Sequence, residues 1–198
     1  MARSKPILLA LAVTAMAVAL VACGDDDSNE IEDQIREAIE LAATSGEPSV
    51  CTEQQTQAFN EQTTGETGPA ATESCEENAA DTPADEVEVS NVEVNGDSAT
   101  AEAAFRGSLF DQQTIELALI EDGEDWKLDQ IVGFTEFNRA AFDAGFQEEL
   151  SADEEVPPQA AKCITQQFAG LSDEEVQQFF LEPSDQRAEQ LFGPCFGG

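Results

Sequence analysis

Five cysteines, 42 acidic residues and a complete absence of histidine and tyrosine set the range of chemistry open to this 198-residue chain. A sequence without histidine lacks the side chain that titrates nearest neutral pH and serves most often as general base and transition-metal ligand. Cysteines at 23, 51, 75, 163 and 195 lack the close Cys-x-x-Cys or Cys-His spacing of a zinc site. Asp25, Asp26 and Asp27 open an acidic stretch, but no register started at them puts a glycine sixth and a glutamate twelfth, as an EF-hand requires. There is no Gly-x-Ser-x-Gly elbow and no phosphate-cradling glycine loop. What remains for catalysis is a carboxylate raised in pKa by an apolar pocket.

The elements that would have to position such a carboxylate follow from hydrophobic period. Ile31, Ile35, Ala38, Ile39 and Ala42 form one helical stripe, closed by Gly46 and Pro48. A weaker helix is predicted from Cys51 to about Thr64, and a short one over 70–80 around Cys75. Beyond Pro83 the period becomes two. Val87 and Val89, then Val92 and Val94, mark a strand with a phase slip, and Asn95-Gly96-Asp97 is a hairpin signal. Ala99, Ala101, Ala103 and Phe105 share a face of the second strand, and Ile115, Leu117 and Leu119 one of the third. Trp126 and Leu128 start a face of the fourth that would continue through Gln130 and Val132. In these phases Glu102, Glu116 and Asp129 point away from the apolar side, so no catalytic, cofactor or metal residue is assigned and a non-enzyme is expected.

Helical spacing returns with Phe137, Ala141, Phe142, Gly145, Phe146 and Leu150. An acidic stretch ending in Pro157-Pro158 reads as a boundary. After it come Ala160, Ile164 and Phe168 on one face, a capping-box start at Ser172 to Glu175, and a helix bearing Val176, Phe179 and Phe180. One of those two phenylalanines is expected in the core and the other against the main domain or a partner. A last helix is predicted from Ser184 to Phe192, with Gly193-Pro194 turning the chain into Cys195. So little apolar surface could not fold this module without a clip.

At the other end, Arg3 and Lys5 precede an apolar run from Ile7 to Ala22, too short for a membrane span of roughly 20 residues and without basic stop-transfer residues after it. Leu20-Val21-Ala22-Cys23 resembles the lipobox of bacterial lipoproteins. The resemblance implies cleavage before Cys23, a diacylglycerol thioether on its sulfur, and an address on the extracytoplasmic side of the cell membrane. Residues 1–22 are then leader and 23–29 an acidic tether. Cleavage leaves six cations against 42 acids, a net charge of −36. Nucleic acid and anionic headgroups are poor partners for that field. The acids are interleaved with apolar residues, as on a solvated globular surface or a salt-adapted one.

With Cys23 lipidated, Cys51, Cys75, Cys163 and Cys195 form an even set in an exported chain. Of three possible pairings the local ones, Cys51 with Cys75 and Cys163 with Cys195, keep each bridge within its own compositional segment. Each would contribute about 3–4 kcal/mol in the chain-entropy treatment.

The order of three helices and a four-stranded antiparallel meander, from Ile31 through Val87-Glu88-Val89 to Trp126-Lys127-Leu128, resembles the nuclear-transport-factor-2-like (SnoaL-like) superfamily, most nearly small disulfide-clipped lipoproteins of high-GC Gram-positive bacteria. The resemblance implies an α+β fold over 30–150, with N-terminal helices packed on a curved, cone-like sheet, and the small disulfide-clipped helical module over 157–198 follows it. Phe105, Trp126, Phe134 and Phe142, with Phe110, Phe137 and Phe146, then either line an apolar pocket or fill the core. The functional expectation is a membrane-anchored, non-catalytic binding or scaffold module meeting an envelope protein or a small apolar ligand. The alternatives are a carrier using the cone pocket and, last, a carboxylate-based isomerase or dehydratase.

Overall fold

The computed structural model describes residues 25–80, 83–152 and 156–196; Cys23, the stretch expected to be a leader and part of the acidic boundary before Pro157 lie outside them. Among the described residues, eight helices accompany one antiparallel sheet of order β1-β2-β3-β4.

Helix α1 (Asp25–Thr44) starts six residues before Ile31, the first apolar position of the stripe, so the stretch expected to be a tether is helical from residue 25. A helix nucleated by a buried stripe extends readily through acidic residues at its N-terminus, where the aligned peptide dipoles favour negative charge. Ile35, Ala38 and Ile39 are buried against the sheet, and Arg36 donates to the carbonyl of Val89.

The helix expected over 51–64 is broken into α2 (Val50–Glu53) and α3 (Gln57–Thr64). Between them the backbone pairs with the sheet: Leu128 N–H donates to Gln54 O at 2.9 Å and Thr56 N–H to Leu128 O at 2.9 Å. Thr56 then caps α3, its hydroxyl accepting from Phe59 N–H. Helix α4 (Pro69–Asn78) follows, joined to α2 by the Cys51–Cys75 disulfide, whose Cα atoms stand 6.0 Å apart.

Strands β1 (Glu86–Asn95), β2 (Ser98–Arg106), β3 (Thr114–Asp122) and β4 (Asp125–Glu136) form the expected meander. The phase slip in β1 is a bulge between Ser90 and Glu93, with Asn91 at φ 50° and its amide donating to Glu102 at 2.5 Å. In β4 the inward face does not continue through Gln130 and Val132. Leu119 pairs with Leu128 but Leu117 with Ile131, so an extra residue turns Ile131 into the core and leaves Val132 46% exposed. The inward face, Val87, Val89, Ala99, Ala101, Ala103, Ile115, Leu117, Leu119, Trp126, Leu128 and Ile131, joins α1 and Phe59 in one core.

A second core lies beyond the sheet. Phe142 on α5 (Arg139–Ala152), Phe168 at the end of α6 (Pro158–Phe168) and Val176 on α7 (Asp173–Leu181) are fully buried together, with Phe146, Phe179, Phe180 and Phe192 around them. Phe180 meets Phe142 with ring centroids at 4.8 Å, while Phe179 faces Phe168 and Phe192. Helix α5 therefore shares its core with the helices after the proline boundary. Helix α8 (Asp185–Phe196) runs through Gly193 and Pro194 where a turn was expected. A proline in the last turn costs one backbone donor but already has helical φ, and Cys195 is bonded to Cys163 on α6.

Two polar anchors tie the two cores, and a third braces the second. Gln62 on α3 accepts from Ile131 N–H and donates to the carbonyls of Ile131 and Leu181. Buried Gln113 accepts from Asn138 N–H and donates to Asn138 O, fixing the start of α5. Arg139 pairs with Asp143 and Asp173, donates to the carbonyls of Phe168 and Leu171, and lies over the Phe168 ring.

Candidate functional site

The inner face of the sheet is covered by α1 along only part of its length. Past Ile39 the helix carries the small side chains of Ala42 and Ala43, which pack at the edge of the core and line a cavity of about 420 Å³. That volume is in the range of small-molecule sites. Its floor is Phe105, Ile115, Leu117, Leu128 and Ile131; the α1 end adds Ile39, Ala42, Ala43 and Ser45. The disulfide-clipped helices supply the opposite wall with Val50, Cys51, Ser74, Cys75 and Asn78, the α2–α3 break and α3 add Gln55 and Phe59 beside them, and the β2–β3 loop contributes Ser108 and Phe110.

Loop placement depends on one close approach. Gly107 sits at φ 71°, and a Cβ there would come within 2.8 Å of Asp85 Oδ2. Asp111 holds the loop by accepting from Gly107 N–H at 2.9 Å. Hydrogen bonds from the Gln112 side chain and from Gly107 N–H keep its carboxyl below the usual range. The opposite wall depends on fewer buried atoms. Only Val50 and Cys51 of α2 and Ala71 of α4 are buried, so the disulfide and the hydrogen bond from buried Asn60 Nδ2 to Cys51 O, at 2.8 Å, do much of the positioning.

Among the described residues lining the cavity there is no acid, lysine or arginine. Glu102 lies on the outer face, where it accepts from Asn91, and Asp129 accepts from Thr56 at 2.9 Å. Glu116 is paired in register with Gly133 on that same outer side. Among the described residues Glu149 on α5 is the acid whose pKa partial desolvation raises, and it is not part of the lining. Among the described residues no three or more cysteines and acids are grouped to hold a metal, and no helix is long and apolar enough to cross a membrane.

The aromatic residues expected at a pocket are divided. Phe105 lines the cavity, and Phe110 with it. Trp126 is 4% exposed within the core, and Phe142 is buried in the second core. Phe134 bridges the two, 6.2 Å from the Phe110 ring and 6.5 Å from that of Phe142. Most of the wall is aliphatic or small instead, and the alanines near the end of α1 were the signal available for it. A second hollow of about 370 Å³, on the C-terminal helices, is lined by Leu171, Phe179 and Leu191 with Glu175, Gln178, Arg187 and Gln190.

Both disulfides, Cys51–Cys75 and Cys163–Cys195, join the locally paired cysteines. No protein-family model, curated protein or solved structure matches this chain.

Proposed function

We propose that this chain is an exported, lipid-anchored protein whose sheet domain is a cone of the nuclear-transport-factor-2-like kind, holding an uncharged, mainly apolar small molecule without converting it. The observation that carries the reading is the cavity: about 420 Å³ of largely aliphatic and aromatic wall with no ionisable side chain among its described residues. Proton transfer needs a group that can give or take a proton within hydrogen-bond reach of the substrate, and such a wall supplies affinity and exclusion of water only. Cone-like curvature is supported by the packing of α1, which touches both edge strands, β1 and β4.

The anchor rests on Leu20-Val21-Ala22-Cys23 and the basic, apolar stretch before it. Two formed disulfides suit an oxidising compartment. Cys23 carries the lipid in this reading, and the carrier faces away from the cytoplasm. A surface with net charge −36 after cleavage keeps the carrier soluble beside an anionic membrane.

The test is photocrosslinking of the membrane-extracted protein in nanodiscs with a diazirine-bearing alkane. Adducts should map to peptides containing Phe59, Phe110 and Ile115; labelling spread over the exposed surface would sink the carrier reading. Fatty-acid labelling in cells addresses the anchor: Cys23→Ser should lose the label, and a fully labelled variant would overturn it.

A further inference from the structure

We infer that the ligand is a neutral amphiphile bearing a carbonyl oxygen, received by Gln55 and Ser74 beside the Cys51–Cys75 disulfide. This rests on the carrier reading above and adds the polarity of the occupant.

The break between α2 and α3 is the first ground. Gln54 stays in helical geometry, its N–H bonded to Val50 O, and Gln55 and Thr56 then leave the helix to pair with Leu128; in such an extended stretch successive side chains alternate in direction. Thr56 is thereby spent on Asp129 and on capping α3, whereas Gln55 becomes part of the cavity wall. A helix continued through 54–56 would have kept more backbone hydrogen bonds local, so the pairing with β4 fixes the position of Gln55.

The second ground is what its amide meets there. Gln55 Oε1 lies 3.3 Å from Cys75 Sγ. A disulfide sulfur carries no hydrogen, so this approach is a contact and not a hydrogen bond. Among the described residues neither the Gln55 Nε2 group nor the Ser74 hydroxyl has a hydrogen-bond partner, although both residues line the cavity. Of the remaining hydroxyls, two have their donor engaged and two are held in their turns as acceptors. Thr63 and Thr64 donate to backbone carbonyls of α3, while Ser45 and Ser108 accept backbone N–H groups of their own turns. An occupant made only of hydrocarbon would strip water from two donors and return nothing. A carbonyl oxygen has two lone pairs and takes both donors, leaving its chain against the apolar wall.

The experiment uses the membrane-extracted protein in nanodiscs, with a straight-chain methyl ketone and the alkane of equal length competing against the diazirine-alkane probe. Wild type is compared with Gln55→Leu/Ser74→Ala, so that partition into lipid cancels between the two proteins. The ketone should compete about tenfold less well in the double variant, as for loss of one net hydrogen bond, and the alkane equally in both. Ser74→Ala alone, a change of one oxygen, should move the ketone in the same direction by less, and it stands in if the double variant loses alkane binding as well. Ketone competition unchanged by Ser74→Ala and the double variant, with alkane competition retained, overturns the inference and leaves the carrier reading intact. Failure of both competitors in wild type overturns the carrier reading, and this inference with it.

Discussion

The two cores of this molecule are built from different side chains, and among the described residues only the first has buried side chains lining a hollow; the hollow on the C-terminal helices is lined by none of the buried residues. Sheet and α1 bury alanine, valine, isoleucine and leucine, with Trp126 and Phe59 as the large members, and they enclose a cavity of about 420 Å³. The C-terminal core is mostly phenylalanine: Phe168 alone stands within 6.5 Å, centroid to centroid, of Phe142, Phe146, Phe179, Phe180 and Phe192. Large rings from short helices fill space from many directions. Alanines between a rigid sheet and a long helix cannot, because the backbones on either side are too constrained to collapse around them. A binding site can persist in the first kind of core, and the second kind supports it.

Truncation in the aromatic core should be the most damaging change. Phe168→Ala removes a ring 1% exposed and the surface beneath the Arg139 guanidinium; a loss of about 3–5 kcal/mol is expected from chemical denaturation. Phe59→Ala, at a ring that already borders empty space, should lose less. Equal losses would break the contrast between a filled core and a hollow one.

The disulfides sharpen it in another way. They close chain separations of 24 and 32 residues, so replacing either pair with serines should cost a similar amount, about 3–4 kcal/mol in the chain-entropy treatment. Their effects on the cavity should differ. Loss of Cys51–Cys75 frees a wall with few buried atoms, and photocrosslinking at Phe59 should fall; loss of Cys163–Cys195 should leave it unchanged at temperatures where both variants stay folded.

Overfilling gives the next smaller effect. Val176→Phe adds a ring at a site with no exposure, and overpacking there should cost about 1–3 kcal/mol. Ala43→Leu extends into the cavity and should change stability by less than about 1 kcal/mol while blocking the alkane probe. A severe loss from Ala43→Leu would mean that the space beside α1 is not open to added atoms.

How much of this was legible in the residues depends on the range of the interactions involved. Strands, hairpin, bulge in β1 and the capping box at Ser172 are set within a few positions of one another, and alternation or cap chemistry marks them. The inward turn of Ile131 depends on how β4 pairs with β3, and the break at 54–56 on a backbone partner over seventy residues away, Leu128. Neither leaves a local trace. Helix α8 passes Gly193-Pro194 although the dipeptide reads locally as a stop, because it packs on α6 and is clipped to it. For the pocket, attention to aromatic residues identified the filled places: Trp126 and Phe142 occupy volume, while the cavity lies beside Ala42 and Ala43. A void is marked by residues that are small at positions where the pattern demands large ones, and that criterion was present in the sequence of α1.

The smallest effect tests a device local to the aromatic region, the box that starts α7. Ser172 Oγ accepts from Glu175 N–H at 3.3 Å, and the Glu175 carboxylate accepts from both the backbone N–H and the hydroxyl of Ser172. Those two bonds, the backbone one first, hold the Glu175 carboxyl below the ordinary glutamate value of 4.5. Ser172→Ala should destabilise by about 1 kcal/mol at neutral pH, read from denaturation midpoints. Its pH dependence separates the two halves of the box. A carboxyl whose folded pKa is depressed contributes stability fully present above 4.5 and lost as pH falls through the folded value. The bond from the Ser172 hydroxyl to that carboxylate therefore weakens in acid, while the bond from Glu175 N–H to Ser172 Oγ does not titrate. The gap between wild type and Ser172→Ala should narrow below pH 4.5 without closing. In a Glu175→Gln background the gap should be flat with pH; a gap that still narrowed there would assign the acid sensitivity to other carboxylates and remove Glu175 from the account.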